Sequence, residues 1–264
     1  MEAPDGFSVR LSRDLVNWSE PRPVLPRNIG PAKADFYWAP EVHCHGRRWY
    51  LFASFGVGMN VVHPQAHYTT VYAAASPEGP FAPHSQGPVT PLGWRSIDGT
   101  LHFEPDGRPW VVFVREWTQT LDGEMHATPL SADLRQPAGP PQLLFRASEA
   151  TWSLAQHSEY GDGYRVTDGP WLHRTEAGTL LMLWSSFGRG GYVTGVARST
   201  SGTIAGPWVQ APEPLFARDG GHPMLFRAFD GRLIMALHTP NRPGQERVRL
   251  LPVRETASGL ELAD

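Results

Sequence analysis

Asp98-Gly-Thr-Leu-His-Phe103 and Asp168-Gly-Pro-Trp-Leu-His173 open two stretches of this 264-residue chain in the same way, and Tyr37-Trp-Ala-Pro-Glu-Val42 and His222-Pro-Met-Leu-Phe-Arg227 open two more. Each runs to a glycine, at Gly46, Gly107, Gly178 and Gly231, over gaps of 9, 9, 10 and 9 residues in chain order. Behind each glycine comes an apolar run with strand character: Trp49 to Phe55, Trp110 to Glu116, Leu180 to Phe187 and Leu233 to His238. The unit is therefore a hairpin that recurs. All-β repeats of this kind predict a propeller, whose blades cannot bury their faces alone and so stack around a central channel. A β-sandwich with several hairpins would share the turn spacing but not the equal offsets. In a propeller the first strand of each blade lines the channel, which predicts that Trp38, Asp98, Asp168 and His222 converge there.

An outer half of the repeat is also legible. Ser12 to Trp18, Ser76 to Phe81, Ser131 to Leu134 and Ser199 to Trp208 each follow a short strand and carry the Asp, Gly and Pro of tight turns. The repeat glycines are spaced by 61, 71 and 53 residues, which gives long blades. Four blades are nearly whole. Ahead of Tyr37 stands only the outer half of another, a strand from Phe7 to Leu11 and the turn after it. The expected architecture is an all-β, five-bladed propeller with its first blade incomplete at the amino terminus, residues 1–36 being the remnant and 1–264 one domain. Val248 to Arg254 is a candidate to close the ring beside that remnant, since an open strand edge is a liability.

Composition narrows the function classes. With 41% hydrophobic and 19% charged residues the chain can build one sizeable core, and Gly 27 with Pro 26 suits a chain of many turns. A net charge of -3 without a basic cluster argues against nucleic acid. No apolar run of about 18 residues is present to span a membrane. Cys44 stands alone and no leader is visible at Met1, which favours a cytoplasmic chain. The 10 Trp suit blade packing and sugar stacking alike.

Taken singly, Asp98 and Asp168 read as turn residues, for Asp-Gly and Asp-Gly-Pro are turn vocabulary. At one repeat register they become two carboxylates aimed into one pocket, the working parts of acetal hydrolysis: one donates a proton, the other activates water or attacks the sugar. Glu116 breaks the end of an apolar strand with a charge and is the third catalytic candidate, with an ion pair as its plain alternative. Glu41 reads as a buried structural acid bonded to backbone or to a histidine. His222, between Gly221 and Pro223, shares the register of the two aspartates and is the candidate for a channel ligand. Trp38, Phe36, Trp94 and Trp117 flank the inner strand mouths and are candidates for sugar binding or for packing between blades. No zinc spacing, serine elbow, phosphate loop or dinucleotide fingerprint is found.

At these residues the chain resembles glycoside hydrolase family 43. Ser12-Arg-Asp-Leu-Val-Asn-Trp18, Tyr37-Trp-Ala-Pro-Glu-Val42, Ile97-Asp-Gly-Thr100 with Asp106-Gly-Arg-Pro-Trp-Val-Val-Phe113, Thr167-Asp-Gly-Pro-Trp171 and Gly220-Gly-His222 run in the family's order over nearly the whole chain. The resemblance implies a five-bladed propeller enzyme, an arabinofuranosidase or xylosidase type acting on arabinose- or xylose-containing oligo- or polysaccharides by an inverting acid/base reaction. It implies a base Asp on the first blade, an Asp that tunes and orients the acid, which Asp98 matches, and a Glu acid, whose place Asp168 takes one methylene shorter. It also implies a channel histidine, His222, often associated with a water-coordinated calcium ion; no other cofactor is required. With blades of about 60 residues, the base position falls roughly 20 residues ahead of Met1, so Glu116 or Asp35 would have to stand in. The competing expectation is a non-catalytic carbohydrate-binding propeller, and behind it a protein-interaction propeller that has lost the sugar pocket.

Overall fold

The computed structural model describes residues 6–27, 29–30, 34–58, 64–257 and 259–263. Met1 to Asp5, the opening of the 1–36 remnant, lies outside the described residues. Four antiparallel four-stranded sheets follow one another along the chain, arranged as propeller blades. Blade A holds Phe36–His45, Arg48–Gly58, Pro64–Ala74 and Ala82–Pro83, and blade B holds Ser96–Phe103, Pro109–Arg115, Glu124–Pro129 and Gln142–Arg146. Blade C holds Asp168–Arg174, Leu180–Gly188, Gly191–Ser199 and Trp208–Gln210, and blade D holds Gly221–Arg227, Leu233–Thr239, Arg247–Thr256 and Gly259–Leu262. The first strands of A and B, of B and C, and of C and D touch, which sets them around a common channel.

Alternation within the second strands explains why they read as unbroken apolar runs. In blade B, Val111 and Phe113 face the A–B interface with Phe52, Val71 and Leu101, while Val112 and Val114 face the B–C interface with Trp152, Met182 and Trp184. Successive side chains of a strand point to opposite sides, so a strand sandwiched between two blades must be apolar at every position. Leu181 and Leu183 do the same at the C–D interface with Leu225 and Met235.

Gly6–Val9 and Arg22–Pro26 form a two-stranded antiparallel sheet joined through the Ser12 to Trp18 turn. That turn repeats one between the third and fourth strands of blade B: the Ser12 hydroxyl donates to Asp14 at 3.0 Å and the Ser131 hydroxyl to Asp133 at 2.7 Å. Phe7, Val24 and Leu25 of the pair pack on blade A against Tyr37, Leu51 and Phe55. The expected closure through Val248 to Arg254 is corrected here. Those residues belong to the third strand of blade D, paired with Leu233–Thr239 on one edge and, from Val253 onward, with Gly259–Leu262 on the other, so they are built into blade D.

The B–C interface depends on one missing side chain. The Trp152 ring, its centroid 4.6 Å from that of Trp184, lies over Gly195, where an added Cβ would stand 1.9 Å from Trp152 Cζ2. Gly195→Ala is expected to lower stability by about 1–3 kcal/mol through overpacking, read as a reduced urea midpoint at unchanged slope; a midpoint equal to the parent's would contradict this packing.

Candidate active site

Each first strand carries an interruption of its pairing at the channel. The register shifts fall between Trp38 and Glu41, Ile97 and Thr100, Asp168 and Trp171, and Gly221 and Met224. Within each shift one residue takes a positive φ: Ala39 at 46°, Asp98 at 57°, Gly169 at 50° and His222 at 55°. A bulge of this kind re-aims a side chain, and for the three non-glycine residues a left-handed φ is a strain that the surroundings must hold. The next residue is Pro40, Gly99, Pro170 or Pro223, and proline fits there because a bulge asks for no ladder N–H.

The bulge residue's own N–H needs an acceptor, and the blades supply it in two ways. Asp98 N–H donates to Ser54 Oγ and His222 N–H to Ser185 Oγ, both at 2.8 Å, the serines lying on the second strand of the preceding blade. Blade B has Val114 at the matching place, paired with Ile97 as Ser54 pairs with Trp38 and Ser185 with Asp168. With no hydroxyl there, Gly169 N–H donates instead to Asp98 Oδ2 at 2.9 Å. The Asp98 carboxylate, 6% exposed, is thereby fixed between blades B and C. Gly169 is needed for this contact, since a Cβ there would lie 2.8 Å from the His222 ring.

A cavity of about 490 Å³ opens over these bulges, lined by Trp38, Asp98, Glu116, Asp168, Tyr192 and His222 among others. Asp98, His222 and Ala39 share one register. Asp168 stands one residue earlier, at the ladder position of Trp38, Ile97 and Gly221, and the 10-residue gap in its repeat was the signal of that offset. Tyr192 on the third strand donates its hydroxyl to Asp168 Oδ2 at 2.9 Å. Enclosure by protein and then the nearby Asp98 push the Asp168 carboxyl well above the usual carboxylate range, against the opposing bond from Tyr192.

Glu116 follows the second strand of blade B at the start of the short helix Trp117–Thr120, and its side chain does not cap that helix. It reaches the cavity and bonds to His67 Nδ1, a buried residue of blade A's third strand. Burial raises the Glu116 carboxyl above its ordinary range, with His67 pulling the other way. His67 and Tyr192 occupy equivalent places, two residues before Thr69 and Thr194, which pair with Ser54 and Ser185. Sequence reasoning missed both, although His67-Tyr-Thr69 and Tyr192-Val-Thr194 repeat an aromatic-x-Thr pattern.

The other predicted residues are placed as follows. Trp38 lines the cavity, and Phe36 is stacked on it at 5.0 Å between ring centroids. Trp94 lies under the Arg115 guanidinium at 4.2 Å and beside His126, and Trp117 stacks on Tyr164 at 3.9 Å; neither lines the cavity. Asp35 is exposed and accepts Gly58 N–H at 2.7 Å, away from the cavity. Glu41 bonds to His43 and to Thr100 and does not line the cavity. His222 Nδ1 is 3.9 Å from Asp98 Oδ2. Calcium takes six to eight oxygen ligands, whereas His222 offers nitrogen, and among the described residues no group of three His, Cys, Asp or Glu side chains could hold a metal. The residues present do not form a protein cage for calcium.

Three carboxyl groups, those of Asp98, Glu116 and Asp168, thus line one cavity over the bulges of an all-β propeller. The model of the glycosyl hydrolases family 43 matches residues 1–259, and the chain belongs to that family. The solved structure of an endo-arabinase from Bacteroides thetaiotaomicron is 39% identical, with a TM-score of 0.85 over 95% of this chain and 86% of that one. A thermostable family-43 glycoside hydrolase, 22% identical, shares the fold at a TM-score of 0.80 over 99% of this chain and 86% of its own. The extracellular exo-alpha-(1->5)-L-arabinofuranosidase ArbA of Cellvibrio japonicus (strain Ueda107) is 25% identical over 197 residues, 69% of this chain and 53% of that protein. The chain thus spans about half the length of that curated relative.

A carboxyl group that binds its proton more tightly folded than unfolded costs stability as pH rises from the unfolded value near 4 through the folded one. Asp168→Asn is therefore expected to melt at a higher temperature than the parent at pH 7, with the gap closing below about pH 4. Thermal melts across that range check it, and a pH-independent difference would remove the raised Asp168.

Proposed function

We propose that this protein is a glycoside hydrolase acting on arabinose-containing glycans, with Asp168 as the proton donor to the leaving glycosidic oxygen. The observation that carries the reading is the pairing of an enclosed Asp168 with a fixed Asp98 in one cavity. The Asp98 carboxyl, tied to Gly169 N–H, lies beside Asp168 and raises its proton affinity, which favours the protonated donor in the resting site. As the leaving oxygen takes the proton, Tyr192 Oη–H, already directed at Oδ2, stabilises the carboxylate left behind. Family membership and the likeness to the Bacteroides endo-arabinase support arabinose over other sugars. The reaction is read as inverting, with water attacking the sugar on the face away from Asp168 and releasing its proton to solvent. Trp38 supplies an apolar surface at the cavity wall for the sugar's C–H face.

The ring is proposed to have five blades, the two-stranded sheet Gly6–Val9 with Arg22–Pro26 being the outer half of the fifth. The shared Ser-x-Asp turn and the packing of Phe7 and Leu25 on blade A support this.

Asp168→Asn is expected to lower kcat on linear arabinan by about 10²–10⁴-fold. On an aryl arabinofuranoside with a good leaving group the loss should be much smaller, because such a group departs without a proton. Equal losses on both substrates would exclude Asp168 as donor. Binding of arabino-oligosaccharides with no turnover by the parent would make the protein a carbohydrate-binding propeller instead.

A further inference from the structure

Asp98 and Asp168 leave one carboxylate of the cavity without a task. Glu116 comes from the border of blades A and B, Asp168 from blade C, and Asp98 lies between them with electrostatic influence on both. The Glu116 backbone is tightly held: its N–H donates to Arg95 O at 2.9 Å, and its carbonyl accepts from Gln119 N–H, Thr120 N–H and the Thr120 hydroxyl. One carboxylate oxygen, Oε2, is bonded to His67 Nδ1. Among the described residues no protein donor reaches Oε1, and the side chain lines the cavity.

A carboxylate set in such a wall is costly unless donors meet it. Sugar hydroxyls are donors of the right kind, and a charged acceptor binds them about twice as strongly as a neutral one. The same wall carries Trp38, which meets the His67 ring edge-on at 5.0 Å and presents an aromatic surface beside the acceptor. An apolar face with a charged acceptor at its edge is complementary to a furanose ring, which has a C–H face and hydroxyls at its rim. His67 itself, 2% exposed, is buried under this wall, at the position where Tyr192 donates to Asp168 in blade C. The third strand thus supplies a carboxylate-orienting donor twice.

We propose that Glu116, oriented by His67, is the sugar-binding carboxylate of the cavity, accepting hydrogen bonds through Oε1 from ring hydroxyls of the arabinose unit next to the scissile bond. This rests on the reading of the protein as an arabinose-glycan hydrolase. Glu116 touches the sugar; His67 is a positioning residue, whose Nδ1–H fixes the carboxylate plane and favours its ionised form.

The probe is α-1,5-linked arabinotriose, titrated calorimetrically into the Asp168→Asn protein so that it stays intact. Adding Glu116→Gln, which keeps shape and loses charge, should weaken binding about tenfold or more. His67→Phe should weaken it to a similar degree, and His67→Asn, whose amide can replace Nδ1–H, should recover most of the loss. The pH dependence separates positioning from packing. Asp98 pushes the Glu116 carboxyl up, while His67 and Arg95 pull it down. Removing the His67 donor should therefore shift the acid-side loss of binding to higher pH, and Glu116→Gln should abolish that limb. Parent binding left unchanged within twofold by Glu116→Gln, or a His67→Phe loss that His67→Asn does not relieve, would overturn the assignment. Absence of arabinotriose binding by the Asp168→Asn protein and by the parent would overturn it together with the hydrolase reading, whereas binding that ignores Glu116 overturns it alone.

Discussion

The hydrogen bond from Gly169 N–H to Asp98 Oδ2 is the contact on which the site depends. Each first strand breaks its pairing at the channel, and each break leaves a backbone N–H that must be satisfied inside the protein. Ser54 and Ser185 meet that need at two blade junctions. At the B–C junction Val114 offers no hydroxyl, and a carboxylate takes over. A structural debt of the repeat is thereby discharged by a charged side chain, which sets Asp98 beside Asp168 and raises the proton affinity of Asp168.

The same economy appears in the third strands. His67 and Tyr192, at one repeat position in blades A and C, each donate to a carboxylate in the cavity. Blade B has Gly123 at that place, packed against Thr167 and Arg165, so the repeat is broken where the chain needs room. Function is thus distributed by register. Bulge positions supply Asp98 and His222, the ladder position before the bulge supplies Trp38 and Asp168, and third strands supply the orienting donors.

Much of this was legible in the sequence because propeller blades repeat their hairpins at fixed offsets. The four glycines located the hairpin turns, and the apolar second strands behind them were read within a residue of their observed limits except in blade A, where the strand runs on from Phe55 to Gly58. Asp98 and His222 could be placed because each stands 9 residues ahead of its repeat glycine, Gly107 or Gly231. Asp168 was read at the register of Asp98, whereas Gly169 holds that register; the longer gap carried the information, and the Asp-Gly pair masked it. Trp94 and Trp117 were not separable from cavity residues by position alone, since adjacency to a strand mouth does not say which way a ring turns. Arg115, one strand over from Trp94, and Tyr164 decide it through stacking that spans distant sequence. Val248 to Arg254 looked free to close the ring because the strand that follows it, Gly259–Leu262, is only four residues long and too short to announce itself.

The central claim is that Asp168 keeps its proton because protein encloses it and Asp98 stands beside it. Carbon-13 NMR of the side-chain carboxyls, followed through a pH titration of the parent and of Asp98→Asn, tests this directly. The account predicts an Asp168 resonance that titrates well above the ordinary aspartate range in the parent and moves to lower pH when Asp98 is neutralised. An Asp168 that titrates near 4 in both proteins would contradict it.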